Sequence, residues 1–200
     1  YRPEILLNCA AYTKVDKSEN ESAIAFSING TSVGKLAEAC HRSGVKIVHL
    51  STDFVFDGSN RSPVTESNPT APLGIYGRSK RGGEERIEAR ATDWLTVRTS
   101  WLFASHGNNF VRTMLRLERE RDEIKVVSDQ FGSPTWTRDL ALALCKLIRG
   151  DVKNYIHFGG LNSCSWFELA NYTLKQAHQI GLIQTLPVVT SIQTNQYPLP

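Results

Sequence analysis

The sequence predicts a doubly wound α/β fold, a parallel sheet buried between layers of helix. Short runs that are apolar on both faces alternate with longer stretches of helical spacing, as parallel strands and their crossover helices require. Three of those runs, residues 5–10, 46–51 and 94–98, have strand length and carry no regular polar alternation. The chain of 200 residues, 40% hydrophobic and 22% charged, is long enough to bury a sizeable core.

The elements follow in order. Residues 5–10 open on Ile5, Leu6 and Leu7 and read as the first strand. Residues 23–41 read as a helix, with Ile24, Ile28, Thr31, Leu36 and Ala39 near helical spacing and Gly44 to end it. Residues 46–51 form the second strand, a long loop leads to a helix over about 75–91, and residues 94–98 form the third strand. That succession is the parallel crossover repeat. Beyond Arg98 the pattern is less regular: a helix over 109–121 with an exposed charged face, a short strand 124–127, a loop 129–135, a helix 139–149, a strand 155–158 and a helix 165–181. Ser165 followed by Glu168 is a capping-box pattern for the last helix. The final twenty residues are rich in Pro and Thr and hold one β-like run, 188–192.

Composition excludes several classes. A net charge of +3 is far from the concentrated basic face of a nucleic-acid binder. No apolar run approaches the ~20 residues of a membrane-spanning helix, and the opening residues lack a secretory leader pattern. The four cysteines, Cys9, Cys40, Cys145 and Cys164, are scattered without metal-ligand spacing, so neither a zinc site nor a disulfide framework is expected. Cys9 and Cys145 lie in apolar runs and are expected to be buried, reduced thiols, which points to the cytoplasm.

The sharpest chemical signal is Tyr76-Gly77-Arg78-Ser79-Lys80 at the start of a predicted helix. Four residues apart, Tyr76 and Lys80 project from one helix face. An ammonium beside a phenol lowers its pKa and makes it a usable acid–base group. By itself the pentapeptide recurs by chance. Ser51-Thr52-Asp53 strengthens it, standing at the carboxyl end of a buried parallel strand, where open α/β sheets take their ligands. The Thr52 hydroxyl is thereby expected to meet the carbonyl oxygen that Tyr76 protonates, and Asn8-Cys9-Ala10-Ala11 ends the preceding strand in small residues that a flat ring could approach.

These motifs resemble the extended short-chain dehydrogenase/reductase superfamily and, within it, the dTDP-4-dehydrorhamnose reductases. The likeness is carried in order by Asn8-Cys9-Ala10-Ala11-Tyr12-Thr13 with Val15-Asp16, by Ser51-Thr52-Asp53-Phe54-Val55-Phe56-Asp57-Gly58, and by Tyr76-Gly77-Arg78-Ser79-Lys80. Arg98-Thr99-Ser100-Trp101, Gly107-Asn108-Asn109-Phe110 and Asp129-Gln130-Phe131-Gly132-Ser133-Pro134-Thr135 continue it, so that it covers nearly the whole chain. The resemblance implies a Rossmann-like fold and an NADPH-dependent reduction of the 4-keto group of a dTDP-sugar, with NADH as the alternative cofactor. Tyr76 is then the proton donor, Lys80 the residue that holds the nicotinamide ribose and depresses the Tyr76 pKa, and Thr52 the group that orients the carbonyl. Ala10, Ala11, Tyr12, Asn29, Ser51 and Thr99 would join Tyr76 and Lys80 around the cofactor, and Asp53, Trp101, Asn108, Asn109 and Phe110 would face the nucleotide-sugar. No metal is implied, because Arg138 stands near where some relatives place a carboxylate for one. A homodimer and a cytoplasmic location complete the expectation.

The sequence departs from the family in two ways. No glycine-rich phosphate loop precedes Ile5, and Gly77, Gly82 and Gly83 sit at or inside a helix and cannot replace it. The expected fold therefore lacks its first βαβ unit, and at least ~30 residues, the size of one such unit, are expected before this segment. Residues 1–104 would be the later portion of the cofactor-binding domain and 105–200 a truncated, mainly substrate-binding region. Gly82 and Gly83 are expected to loosen their helix, at roughly 1 kcal/mol each. The rival readings are another nucleotide-sugar epimerase, dehydratase or reductase, or a non-catalytic NADP-binding subunit resembling the regulatory subunit of methionine adenosyltransferase. A dehydratase is disfavoured because Thr52-Asp53 is followed by Phe54 and not by a second acid.

Overall fold

The computed structural model describes residues 2–60 and 62–197. The chain runs β1 (Ile5–Asn8), α1 (Val15–Ser18), α2 (Ser22–Phe26), a π-turn (Ser27–Ser32), α3 (Val33–Ser43), β2 (Lys46–Thr52) and a 3₁₀ turn (Asp53–Val55). After a long loop come α4 (Ile75–Arg90), β3 (Trp94–Thr99), β4 (Leu102–Phe103), α5 (Phe110–Glu120), β5 (Glu123–Val127), β6 (Phe131–Gly132) and β7 (Thr135–Trp136). The remainder is α6 (Thr137–Arg149), β8 (Asn154–His157), β9 (Cys164–Ser165), α7 (Trp166–Gln179), β10 (Val188–Ile192) and a 3₁₀ turn (Thr194–Gln196). The alternation of strands and helices gives the parallel, helix-flanked sheet expected of it, and the fold is Rossmann-like, as the resemblance implies.

Two compact units divide these elements. The first holds residues 2–99 together with Lys146–Phe158. Its sheet is parallel throughout, in the order β1-β2-β3-β8. β3 is buried along its whole length and β2 nearly so, which explains why both read as apolar on two faces. β1 is the edge strand of this sheet, with Leu7 43% exposed. Val33, Ala37 and Cys40 of α3 meet Ile47 of β2, Ile87 of α4 and Trp94 of β3 in one core. Gly44 ends α3 in the left-handed conformation, φ 63°, that glycine adopts without a Cβ penalty.

The helix expected over 23–41 is real but interrupted. The π-turn widens it at Ser27–Ser32 and carries Asn29 and Gly30 into the interior. The expectation that Gly82 and Gly83 loosen α4 is not met at Gly83. A Cβ there would stand 2.2 Å from the Asn29 carbonyl oxygen, so glycine is what lets α4 and the π-turn touch. The cysteine expectation also fails, since Cys9 and Cys145 are exposed and Cys40 is the buried thiol. Cys9 lies one residue past the edge strand, and Cys145 sits on the outer face of α6; an apolar run does not report which face of its element meets the core.

The second unit holds Ser100–Cys145 and the residues from Gly159 on. β5 and β10 pair in parallel, and α5 and α7 pack on them through Met114, Ile124, Val126, Ala170, Leu174 and Ala177. The capping box forms as predicted: Ser165 Oγ accepts from the Glu168 N–H at 3.1 Å, and the Ser165 N–H donates to the Glu168 carboxylate at 2.7 Å. The two-residue ladders β4·β7 and β6·β9 are too short for a sequence pattern to announce.

Candidate active site

The carboxyl end of β2 and the first turns of α4 are pinned together by small, specific contacts. Thr52, the last residue of β2, caps the following 3₁₀ turn: its Oγ1 accepts from the Phe54 N–H at 3.2 Å and lies 3.1 Å from Asp53 Oδ1, to which it donates. A Cβ at Gly77 would stand 2.2 Å from the Phe54 carbonyl oxygen, so only glycine lets α4 come this close to that turn. The Tyr76 ring then meets Phe54 edge-to-face, with centroids 5.6 Å apart. Gly74 offers α4 no side-chain cap, and Glu19, just past the end of α1, supplies one, its Oε1 accepting from the Ile75 N–H at 2.8 Å.

The electrostatics differ from the expectation in one respect. Burial pushes the Tyr76 phenol above its ordinary value; a hydrogen bond with Thr52 pulls it down and the Asp53 charge pushes it up further. The depression by Lys80 that the sequence suggested is not found. Lys80 is itself buried, pushed down to about 8 by desolvation with Glu84 acting against that. Its Nζ donates to the Leu50 carbonyl at 2.6 Å and lies 3.3 Å from His49 Nε2. Asp53 has its carboxyl raised by burial.

The other residues singled out from the sequence fall in two groups. In the first unit, Asn29 is buried: its Oδ1 accepts from the Tyr12 N–H at 2.8 Å, and its Nδ2 donates to the Tyr12 carbonyl and to Ser79 Oγ at 3.0 Å each. Tyr12 donates its hydroxyl to Glu21 at 2.6 Å, which raises the phenol to about 12. Ala10 is exposed and Ala11 half-buried past the end of β1. The Ser51 and Thr99 hydroxyls, near the carboxyl ends of β2 and β3, are buried and lack a hydrogen-bond partner among the described residues. In the second unit, Trp101 stacks on Trp166 with centroids 3.4 Å apart, and Phe110 tilts against the same Trp166. Trp101 holds a left-handed backbone, φ 46°, a strain that bulky residues rarely carry. Asn109 caps α5: its Oδ1 accepts from the Arg112 N–H at 3.1 Å, and its Nδ2 donates to the Ala104 carbonyl at 2.9 Å. Asn108 is exposed.

Sequence reasoning passed over His49, Glu19 and Gly77. His49 carried a usable signal, a titratable side chain in the middle of a strand between Val48 and Leu50. Glu19 and Gly77 carried none, because their roles exist only once α1, the 3₁₀ turn and α4 are brought together.

Comparison with known proteins gives the family. A family model described as the RmlD substrate binding domain matches residues 1–200. A dTDP-4-dehydrorhamnose reductase of Burkholderia thailandensis is 41% identical over 210 residues, covering 100% of this chain and 70% of the relative. The reductase of that name from Escherichia coli is 39% identical, with 100% and 68% covered. A crystal structure of the Bacillus anthracis dTDP-4-dehydrorhamnose reductase in complex with NADP superposes with a TM-score of 0.93 at 41% identity, covering 99% of this chain and 68% of that one. The chain belongs to the RmlD substrate binding domain family, that of the dTDP-4-dehydrorhamnose reductases.

Proposed function

We propose that this chain carries the chemistry of an NADPH-dependent reductase that converts the 4-keto group of dTDP-4-dehydro-L-rhamnose to the alcohol of dTDP-L-rhamnose. The observation that carries the reading is the close approach of the turn capped by Thr52 to the first turn of α4, where Gly77 faces the Phe54 carbonyl and Tyr76 meets the Phe54 ring, with Lys80 one turn on. The relatives named for this reaction, and the one solved with NADP, support the substrate and the cofactor.

The residues present fit a ligand rich in hydroxyls. The Lys80 amine and the unpartnered Ser51 and Thr99 hydroxyls sit toward the carboxyl ends of parallel strands, where such ligands bind. NADPH, when bound, supplies the hydride. The chain's own residues handle the proton and the oxygen. Tyr76, kept protonated at neutral pH by its buried surroundings, gives its proton to the sugar oxygen as negative charge grows there. Thr52 hydrogen-bonds to that oxygen and fixes its direction. Asn29 holds the backbone at Tyr12, which with Ala10 and Ala11 forms the cofactor-facing rim of β1. Asp53, Trp101, Asn108, Asn109 and Phe110 complete the reading on the sugar-nucleotide side.

Homodimer formation and a cytoplasmic location belong to the same reading. The unpaired cysteines support a reducing compartment, and the net charge of +3 gives no handle for nucleic acid. No helix among the described residues is long and apolar enough to cross a membrane. The test is Tyr76→Phe, assayed by NADPH oxidation with the 4-keto sugar nucleotide. The variant should lose roughly 10²-fold or more in turnover, the scale of general acid catalysis. Near-normal turnover would remove Tyr76 from the mechanism.

A further inference from the structure

Trp101 is only half-buried, yet it carries two constraints that a tryptophan of ordinary packing does without. One is its left-handed backbone, φ 46°. A bulky residue keeps such a conformation only where its surroundings over-determine it, and strain of this kind gathers at sites that hold ligands. Here the Trp101 carbonyl accepts from the Thr135 N–H at 3.2 Å, and the neighbouring Ser100 hydroxyl donates to the Ser133 carbonyl at 2.9 Å. The other constraint acts on the ring. The Trp166 indole lies flat on one face, with centroids 3.4 Å apart and planes 8° from parallel. A Cβ at Gly132 would stand 2.6 Å from Trp101 Nε1 and 2.7 Å from Cζ2, and nearer still to Cε2, the atom that joins them. Because the joining atom is the nearest, Gly132 lies over the ring and not at its rim. It covers the face away from Trp166, since two rings 3.4 Å apart leave nothing between them.

We propose that Gly132 and Trp166 are positioning residues that clamp the Trp101 indole from its two faces and hold it ready for the sugar nucleotide. The proposal rests on the reading of Trp101 as a residue of the sugar-nucleotide side. Both jaws belong to one small structure. β6 and β9 pair antiparallel, with Gly132 opposite Cys164 and Phe131 opposite Ser165. Trp166 follows as the first residue of α7, its place fixed by the Ser165–Glu168 capping box, and Phe110, the first residue of α5, packs against it with centroids 4.6 Å apart. Backbone pairing and a helix cap thus set the gap into which the indole fits. Gly132 is held in that ladder and cannot retreat, so any Cβ there would push the ring out of the gap. A ring gripped on both faces has lost its rotamer freedom before a ligand arrives, and binding need not order it.

Two stacked indoles couple their transitions and give a pair of bands of opposite sign in ultraviolet circular dichroism. The unsubstituted protein should show this couplet, and Trp166→Phe, which removes one indole, should abolish it. Gly132→Ala keeps both tryptophans, so loss of the couplet there reports a displaced Trp101 ring. By calorimetry, dTDP-L-rhamnose should bind Gly132→Ala and Trp166→Leu about tenfold more weakly than the unsubstituted protein. Trp166→Phe keeps an aromatic face under Trp101 and should bind as the unsubstituted protein does. In the NADPH oxidation assay the two weakened variants should show a sugar-nucleotide KM raised by a similar factor, with kcat little changed. An unsubstituted protein without the couplet, a couplet that persists in Gly132→Ala, or unchanged affinity in the weakened variants would overturn the proposal. Should Gly132→Ala fail to fold, Trp166→Leu against Trp166→Phe decides alone, and equal affinities in that pair would overturn it. Couplet and affinities that move as stated in a chain that does not oxidise NADPH would sink the reductase reading and leave the clamp standing. Normal turnover in a chain without the couplet would do the reverse.

Discussion

Tyr76 and Lys80 show how a pair recognisable in the sequence can still be misread in its electrostatics. The spacing gave the shared helix face, and the motif gave the partner Thr52. The depression of Tyr76 by Lys80 did not follow, because the direction of a pKa depends on burial and on where the amine turns, and Lys80 turns to Leu50 and His49. A donor in a reduction needs its proton, so a raised phenol suits Tyr76. Lys80 has a consequence for stability. Its pKa is about 8 in the folded protein against roughly 10.4 for a free lysine, so between those values the unfolded chain binds more protons. Stability from this group therefore rises with pH across that window and is lowest below it. Against Lys80→Met, which cannot titrate, the unfolding free energy of the unsubstituted protein should climb by roughly 2 kcal/mol between pH 8 and pH 10. Denaturant melts of both proteins across that range check it, and parallel curves would mean the amine is not held as described. The cysteines give a simpler check: Cys9 and Cys145 should react quickly with a thiol reagent and Cys40 slowly, each rate following exposure.

α4 is the element on which the site depends, and its glycines look alike in the sequence while doing different things. Gly77 and Gly83 each face a backbone carbonyl that a Cβ would meet at 2.2 Å, whereas Gly82 faces the end of the Arg86 side chain at 3.0 Å. Backbone cannot step aside and an arginine can. Gly83→Ala should therefore cost about 1–3 kcal/mol through forced displacement of α4 from the π-turn. Gly82→Ala should be neutral or stabilising by up to ~1 kcal/mol, the helix propensity it regains. Urea melts of the two single variants check the contrast, and equal losses would contradict it. Gly77→Ala acts closer to the chemistry, and its effect should appear in turnover because it pushes Tyr76 away from Thr52. The helix itself was legible from its spacing, as were the strands of the first unit and the cap at Ser165. The π-turn and the difference between Gly82 and Gly83 were not. Both are properties of a contact between elements distant in the chain, and no local periodicity encodes what the facing element presents.

On the scale of the whole chain, the boundary expected at 104/105 misses a return of the polypeptide. Lys146–Phe158 belongs with the first unit, and β8 completes its sheet beside β3. Two buried charges depend on that return. Lys46 is satisfied by Asp151 and by the Val152 carbonyl at 2.9 Å each. Arg98 is paired with buried Glu84 through bonds of 2.9 and 2.8 Å, and its guanidinium lies 4.2 Å from the centre of the Tyr155 ring. A chain cut after residue 104 would keep Lys46, Arg98 and Glu84 but lose Asp151, Val152 and Tyr155. It would leave Lys46 with only its longer 3.8 Å contact to Asp93 and open Arg98 to water along the exposed edge of β3. Losing the hydrogen bonds of a buried charged group costs about 1.5–3 kcal/mol, a sizeable share of the stability of a domain this size. Such a fragment should show no cooperative unfolding transition, whereas the full chain should show one. Circular dichroism against temperature on the two chains decides the point: a sharp transition in the shorter one would mean that its three strands and α4 hold together by the core around Ile47 and Ile87 alone.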